Sequence, residues 1–231
     1  MITIDTRIEQ ACSKDSRREH LMHPYYTGKA IVASNGKGLV CLNGLDYEGL
    51  GTPGHIPLEA IKFARKQKGA RKGVITLAER AVVEGESFSR DFGRFRNWEH
   101  CVPKANTWSD DNLIICNPYA LAGIAKATGS SFMLLNDVGA WFYRPLCGTT
   151  VAVMAHGLAR ANELTLPDTP AERDKAAGLD PALLLRMTQA LGGSTEAHVR
   201  LQETDATISP VRINLPMRSA KDFAILMPRR R

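Results

Sequence analysis

Long hydrophobic runs are missing from this chain. No stretch approaches the ~18 to 20 uninterrupted apolar residues that cross a bilayer, so no membrane partner is expected. The opening Met1-Ile-Thr-Ile-Asp-Thr6 lacks the basic and apolar regions of a secretory signal. CxxC pairs are missing too. The five cysteines, Cys12, Cys41, Cys101, Cys116 and Cys147, are odd in number and widely spaced. That argues against a disulfide framework or a zinc site and for a reducing, cytoplasmic setting. Catalytic signatures are also absent: there is no Gly-x-Ser-x-Gly elbow, His-Glu-x-x-His pair or phosphate-binding P-loop, and the carboxylates are scattered. Cys12 with His20 or His23, and Cys101 beside His100, offer a thiol near an imidazole. Nothing frames them, and adjacent residues such as His100 and Cys101 would point to opposite faces of a strand. All six histidines (His20, His23, His55, His100, His156 and His198) read as structural. The expectation is a non-enzymatic protein with no cofactor, no metal and no catalytic residue.

What is present is enough for a substantial core. A chain of 231 residues, 44% hydrophobic and 23% charged, is a globular protein of one large domain or two of roughly 100 to 120 residues. The net charge of +6 and a pI near 9.2 attract polyanions, though the excess is modest for this length.

Four short amphipathic helices recur along the chain, separated by β-rich segments broken at Gly, Asn and Asp. The first spans about residues 4–14, with Ile4, Ile8, Ala11 and Cys12 on one face. Apolar runs on either side of Ser34-Asn-Gly36 predict a hairpin ending in Leu39–Leu42. The second helix opens at Pro57 and turns Leu58, Ile61 and Ala64 inward; strands follow at Val74–Leu77 and Ala81–Val83. The third starts at Asn117-Pro118 and carries Leu121, Ile124, Ala125 and Thr128, before a hairpin of Phe132–Leu135 and Trp141–Tyr143. The fourth repeats that start at Asp180-Pro181, turns Leu184, Met187 and Leu191 inward, and stops at Gly192-Gly193. Strands at Ala197–Leu201, Val211–Ile213 and Phe223–Leu226 complete the pattern. The fold class is α+β: two domains, 1–103 and 104–231, each made of two helix-plus-antiparallel-sheet units. Residues 160–178, polar and proline-bearing, read as a surface insertion in the second domain.

Basic side chains gather near these helices. Lys62, Arg65 and Lys66 lie opposite the inward stripe of the second; Arg7, Lys14, Arg17 and Arg18 surround the first; Lys126 and Arg186 sit on the third and fourth. Each set alone reads as a solvated helix face.

Four passages together resemble bacterial and phage-type DNA sliding clamps, over nearly the whole chain. Val32-Ala-Ser-Asn-Gly-Lys-Gly-Leu39 is similar to the clamp segment Ala-Thr-Asp-Gly-His-Arg-Leu, with Lys37 and Gly38 in place of His-Arg. Gly93-Arg-Phe-Arg-Asn-Trp-Glu-His-Cys-Val-Pro103 resembles the segment that ends a clamp domain, and Asp180–Gly193 the final helix. Ser209–Ile213 followed by Ala224-Ile-Leu-Met-Pro228 is similar to the last two strands, although here Arg229-Arg-Arg231 follows.

The resemblance implies a processivity factor that encircles duplex DNA, independent of sequence, and tethers a polymerase brought there with a clamp loader. It turns the reading of the basic faces: Arg7, Lys14, Arg17, Arg18, Lys62, Arg65, Lys66, Lys126 and Arg186 would face phosphate. It also implies a slot for hydrophobic partner peptides, lined by Gly36 and Leu39, by Val102 and Pro103, and by Ile225, Leu226, Met227 and Pro228. Bacterial clamps carry three such domains per chain and this chain has room for two, so a six-domain ring would be a homotrimer. The compact length suits a phage or mobile element. Two other readings stand beside it: a monomeric clamp-like adaptor or decoy that binds clamp-interacting peptides, and a nonspecific basic DNA-binding protein.

Overall fold

A computed structural model describes the chain except for residues 44–50, 69–71, 94, 96–97, 103–107, 137–138, 144–149, 156–175, 203–209, 219–220 and 228–231. It divides into two compact units. The first comprises Met1–Val102 together with Gln189–Gly193 and Met217–Ala224; the second comprises Pro103–Thr188, Ser194–Pro216 and Ile225–Arg231.

In the first unit, strand β1 (Ile2–Asp5) leads into two 3-10 helices, η1 (Thr6–Ala11) and η2 (Ser16–Leu21). Strands β2 (Tyr25–Tyr26), β3 (Ile31–Ser34), β4 (Gly38–Leu42) and β5 (Gly54–His55) follow, then helix α1 (Leu58–Lys68). Strands β6 (Lys72–Leu77), β7 (Arg80–Val83) and β8 (Glu86–Ser89) and the 3-10 turn η3 (Trp98–Cys101) complete it. One sheet has the order β1-β6-β7-β8, the other runs β5-β2-β3-β4, and both are antiparallel. The hairpin expected around Asn35-Gly36 forms, with Ser34 paired to Leu39 and Ile31 to Leu42.

The first helix expected from the sequence is different in kind. Ile4, Ile8, Ala11 and Cys12 are all buried, but Ile4 belongs to β1, paired with Gly73, and the segment after it is a 3-10 helix. Asp5 caps that turn by accepting from the Arg7 amide, and Asp15 does the same for η2 through Arg17. Two caps this close divide the segment into single tight turns rather than one amphipathic helix.

The second unit holds β9 (Trp108–Cys116), α2 (Pro118–Thr128), β10 (Phe132–Leu135), β11 (Gly139–Tyr143), β12 (Thr150–Ala155), β13 (Ala177–Leu179), α3 (Pro181–Leu191), β14 (Ala197–Gln202), β15 (Val211–Asn214) and the end of β16 (Phe223–Leu226). Its sheets run β12-β11-β10-β13 and β16-β15-β14-β9. The Asx-Pro starts behave as expected. The Asn117 side chain accepts from the Tyr119 and Ala120 amides at 3.1 Å each, and that of Asp180 from Ala182 at 3.0 Å and Leu183 at 3.2 Å. Residues 160–175 of the expected insertion lie outside the described residues. Ala177–Leu179 is a buried strand paired with β10, so the surface reading does not extend that far.

The first unit is completed by a buried charge cluster. The Asp5 side chain is only 2% exposed. Its Oδ1 accepts from Arg7 Nε at 3.0 Å, and its Oδ2 from Arg7 Nη2 at 2.8 Å and from Arg218 Nη2. Arg218 Nη1 lies 3.8 Å from Asp222 Oδ2, and Asp222 Oδ1 accepts from the Asn43 amide at 2.7 Å. Gly192, just past α3, makes room: a Cβ there would lie 2.6 Å from Arg218 Nε and Nη2. A carboxylate this deeply buried is tolerated only when paired. Arg218→Met leaves Asp5 with Arg7 alone, so we expect a loss of about 2–3 kcal/mol, just below the range for breaking a buried pair because Arg7 stays. Urea unfolding measures it; an unchanged midpoint would show that the cluster carries no net stability.

Candidate nucleic-acid and peptide interface

Helix α1 is set down by small residues. Ile61 and Ala64 are buried, and α1 rests on β6 so closely that a Cβ on Gly73 would sit 2.7 Å from the Ala64 Cβ. Its start is capped from outside: the Leu58 amide donates to His23 Nδ1 at 3.3 Å. The face away from this packing exposes Lys62 and Lys66, one turn apart. Arg65 is different. Its Nη2 donates to the Thr6 carbonyl at 2.7 Å and lies 2.7 Å from Glu9 Oε1, tying α1 to η1.

The other cations divide the same way. Lys14 and Lys126 are exposed, and Arg186 is half-buried on α3. Arg7 is committed to Asp5. Arg17 grips Asp15 through Nε at 3.0 Å and Nη2 at 3.1 Å, yet its side chain is 88% exposed. Arg18 reaches the β3–β4 turn, where Nη1 donates to the Asn35 carbonyl at 3.3 Å.

That turn is tightly wired. Asn35 Oδ1 accepts from the Lys37 and Gly38 amides at 2.9 and 3.0 Å, and Ser34 Oγ accepts from the Gly36 amide at 3.1 Å. Gly36 is exposed at φ +83°, a left-handed value that favours glycine.

His23, His55 and His198 each have a local partner or are buried. The ring of His198 pairs with Glu196 at 3.0 Å, and His100 is exposed. His100 and Cys101 belong to η3, so the strand geometry expected for them does not occur. His156 lies outside the described residues. His55 is buried, with Tyr25 edge-on at 5.1 Å and Phe95 at 6.1 Å, and its Nδ1 has no hydrogen-bond partner. Its backbone is held instead: its amide donates to Asp91 O at 2.8 Å and its carbonyl accepts from Arg90 Nε at 3.1 Å. Among the described residues, no group of three or more His, Cys, Asp and Glu could hold a metal ion, and no helix is long and apolar enough to cross a membrane. Burial pushes the Cys116 thiol up to about 12.

No protein-family model matches the sequence, and no curated protein matches it. Solved structures do. The DNA polymerase III β subunit of Thermotoga maritima superimposes with a TM-score of 0.62 at 14% identity over 99% of this chain and 65% of its own. The Caulobacter crescentus pol III β gives 0.65 and 17% over 100% and 65%. The Helicobacter pylori β clamp bound to a DNA ligase peptide gives 0.62 and 15% over 99% and 65%. This chain has the β sliding-clamp fold. It spans about 65% of the length of those clamps.

On this clamp fold, three of the six described residues assigned from sequence to a peptide slot are buried. Leu39, Ile225 and Leu226 are buried, Val102 is half-buried, and Met227 is 48% exposed. Pro103 and Pro228 lie outside the described residues. Interactions the sequence did not reveal include Arg218 on Asp5 and Arg90, whose guanidinium holds the carbonyls of Thr52, His55 and Ala78. An aspartate at a helix start is a readable signal for Asp5; nothing local announces Arg218 or Arg90.

Burial holds the His55 imidazole below its ordinary range, opposed by the charge of Asp91 and reinforced by His23 and His20. The unfolded chain therefore takes up a proton near pH 6.5 that the folded chain resists. Stability is unaffected above that value and falls as pH drops from about 6.5 towards the lowered folded pKa, by at most about 1.4 kcal/mol per pH unit for this one group. His55→Phe should flatten that part of the curve in pH-dependent urea unfolding. An equally steep decline in the variant would assign it to other groups.

Proposed function

We propose that this protein is a DNA sliding clamp: a non-enzymatic, cytoplasmic processivity factor that encircles duplex DNA without reading its sequence and tethers a replicative polymerase. The observation that carries the reading is a clamp fold that accounts for 99–100% of the chain. With domains 1–103 and 104–231, three copies close a six-domain ring.

The character of the exposed cations supports the DNA part. Lys62, Lys66, Lys14 and Lys126 are solvent-exposed ammonium groups on flexible stems, which meet phosphate as point charges and fix no register. Charge attraction of that kind permits sliding. In this reading Arg17 and Arg186 add to the field, while Arg7 and Arg65 chiefly hold the η1 and α1 scaffold on which the lysines stand. The peptide slot of Gly36, Leu39, Val102, Pro103 and Ile225–Pro228 receives hydrophobic segments of the polymerase and the clamp loader, with Met227 as the adaptable residue. The H. pylori clamp bound to a DNA ligase peptide supports a peptide-binding role for the fold.

Mass in solution at micromolar concentration should correspond to a trimer, and loaded protein should stay on nicked circular DNA and run off once the circle is cut. Replacing Lys62 and Lys66 with alanine should shorten retention and lower the salt slope by about 1.8, roughly 0.9 for each phosphate no longer neutralised. A monomer that binds partner peptides would replace the ring with the adaptor reading. Unchanged retention at low salt would remove α1 from the DNA face.

A further inference from the structure

We propose that residues 90–93, with Phe95, form a proton-released strap: it stays closed across β5 while the His55 imidazole is neutral and opens when that ring takes a proton. The opening is local, lies wholly within the first unit and is separate from global unfolding. It does not depend on what the protein binds.

Three observations build the strap. First, it leaves β8 and is bonded to β5. The His55 amide donates to the Asp91 carbonyl at 2.8 Å, and Arg90 Nε donates to the His55 carbonyl at 3.1 Å. The rest of the Arg90 fork holds the carbonyls of Thr52, at 2.9 Å, and of Ala78. The approach needs a bare backbone: a Cβ on Gly54 would lie 3.0 Å from both Arg90 Nη2 and Phe92 Cδ1, and 3.2 Å from the Asp91 carbonyl oxygen. Second, the His55 ring is enclosed by two aromatic side chains. Tyr25 stands edge-on at 5.1 Å, Phe95 lies at 6.1 Å, and the two stack on each other at 5.6 Å. The ring is buried there, and its Nδ1 has no hydrogen-bond partner. Third, the two walls are held differently. Tyr25 is stitched into the sheet, opposite Val32 on one side and His55 on the other. Phe95 belongs to the strap.

A charged imidazole in this enclosure would add a second N–H, at Nδ1, with no acceptor, and a buried charge without a partner is costly. The surrounding groups do not compensate. Burial is the largest influence and disfavours the charge; Asp91 and a hydrogen bond to the His23 main chain oppose it, and the His23 and His20 rings reinforce it. The Asp91 carboxylate is also occupied, accepting from the Gly93 amide at 2.8 Å. Arg90, from the same strap, brings another cation to the His55 carbonyl. His23 Nδ1 is itself an acceptor, holding the Leu58 amide at the start of α1. To reach water the charged ring has to displace a wall, and the wall outside the sheet is Phe95. The strap goes with it, because His55 carries two of the bonds that tie the strap down. The open form takes its proton near pH 6.5, the ordinary imidazole value, while the closed form resists it. The strap is therefore fully held above about pH 6.5 and loosens as pH falls from there towards the lowered value of the closed ring.

The test is hydrogen exchange followed by NMR on the full chain, with protection expressed against the unstructured rate at the same pH. The reporters are the His55 amide and the Arg90 Nε–H, the two bonds between strap and β5. The reference is the ladder of β3 and β4 in the same unit. Between about pH 7.5 and about pH 5.5 the reporters should lose up to about tenfold in protection, the most that one proton with an open-state pKa near 6.5 supplies, while the reference keeps its own. His55→Phe fills the enclosure with a ring that cannot charge, so the position-55 amide and the Arg90 Nε–H should be equally protected at both values. Unchanged protection in the wild type overturns the inference. An equal loss in reporters and reference overturns it too, by making the event global. A pH-dependent loss that persists in His55→Phe assigns the trigger to another group, such as His23, with the same result. The wild type also decides without the variant: protection should begin to fall near pH 6.5 and stop falling where the His55 ring itself titrates. A ring that titrates with no earlier loss of protection overturns the inference.

Discussion

A carboxylate taken out of water at the end of β1 organises the first unit. Asp5 closes the strand, caps the turn that follows and needs positive partners for both oxygens. Arg7 is supplied locally. Arg218 is supplied from 213 residues away. That second cation draws in its own companions: Asp222 beside it, Asn43 on Asp222, and the side-chain-free surface of Gly192 against which the guanidinium lies. The segments 189–193 and 217–224 belong to the first compact unit, and this cluster gives a physical reason for it. Replacing such a pair with apolar groups can be neutral, but removing one member strands a charge, so the members depend on one another.

Much of the fold was legible because its signals are local. Asn117-Pro118 and Asp180-Pro181 start helices through side-chain oxygens within three residues. Asn35-Gly36 and Asn136 turn hairpins in the same way. What failed depends on distant partners. The longest strand, Trp108–Cys116, contains Ser109, Asp110, Asp111 and Asn112, a poor strand former by composition. It is a strand because β14 pairs with it from Ala197 to Gln202. Ile4 matches a helical stripe in sequence and is a strand residue because Gly73 lies opposite it.

The candidate interfaces show a division of labour that composition conceals. Arginines in this chain do much of the internal wiring: Arg7 to Asp5, Arg65 to Thr6 and Glu9, Arg90 to three carbonyls, Arg218 to two carboxylates. Lys14, Lys62, Lys66 and Lys126 stay in solvent. A planar fork with five donors loses little freedom for each bond it forms, whereas a single ammonium on a long stem is more useful left mobile. Sequence alone placed both kinds on one basic surface because charge is visible in a sequence and hydrogen-bond geometry is not.

The distance between Asp5 and its distal partner has a consequence for biosynthesis. Chains emerge from the ribosome in order, and early domains ordinarily begin folding before later ones are made. Here residues 1–102 have to wait for residue 218 before one of their buried anions meets its second counter-ion. Until then Asp5 has Arg7 beside it and an unfilled place opposite. The nascent first half is thus held short of completion, and pairings of such long sequence separation are those whose formation slows folding most.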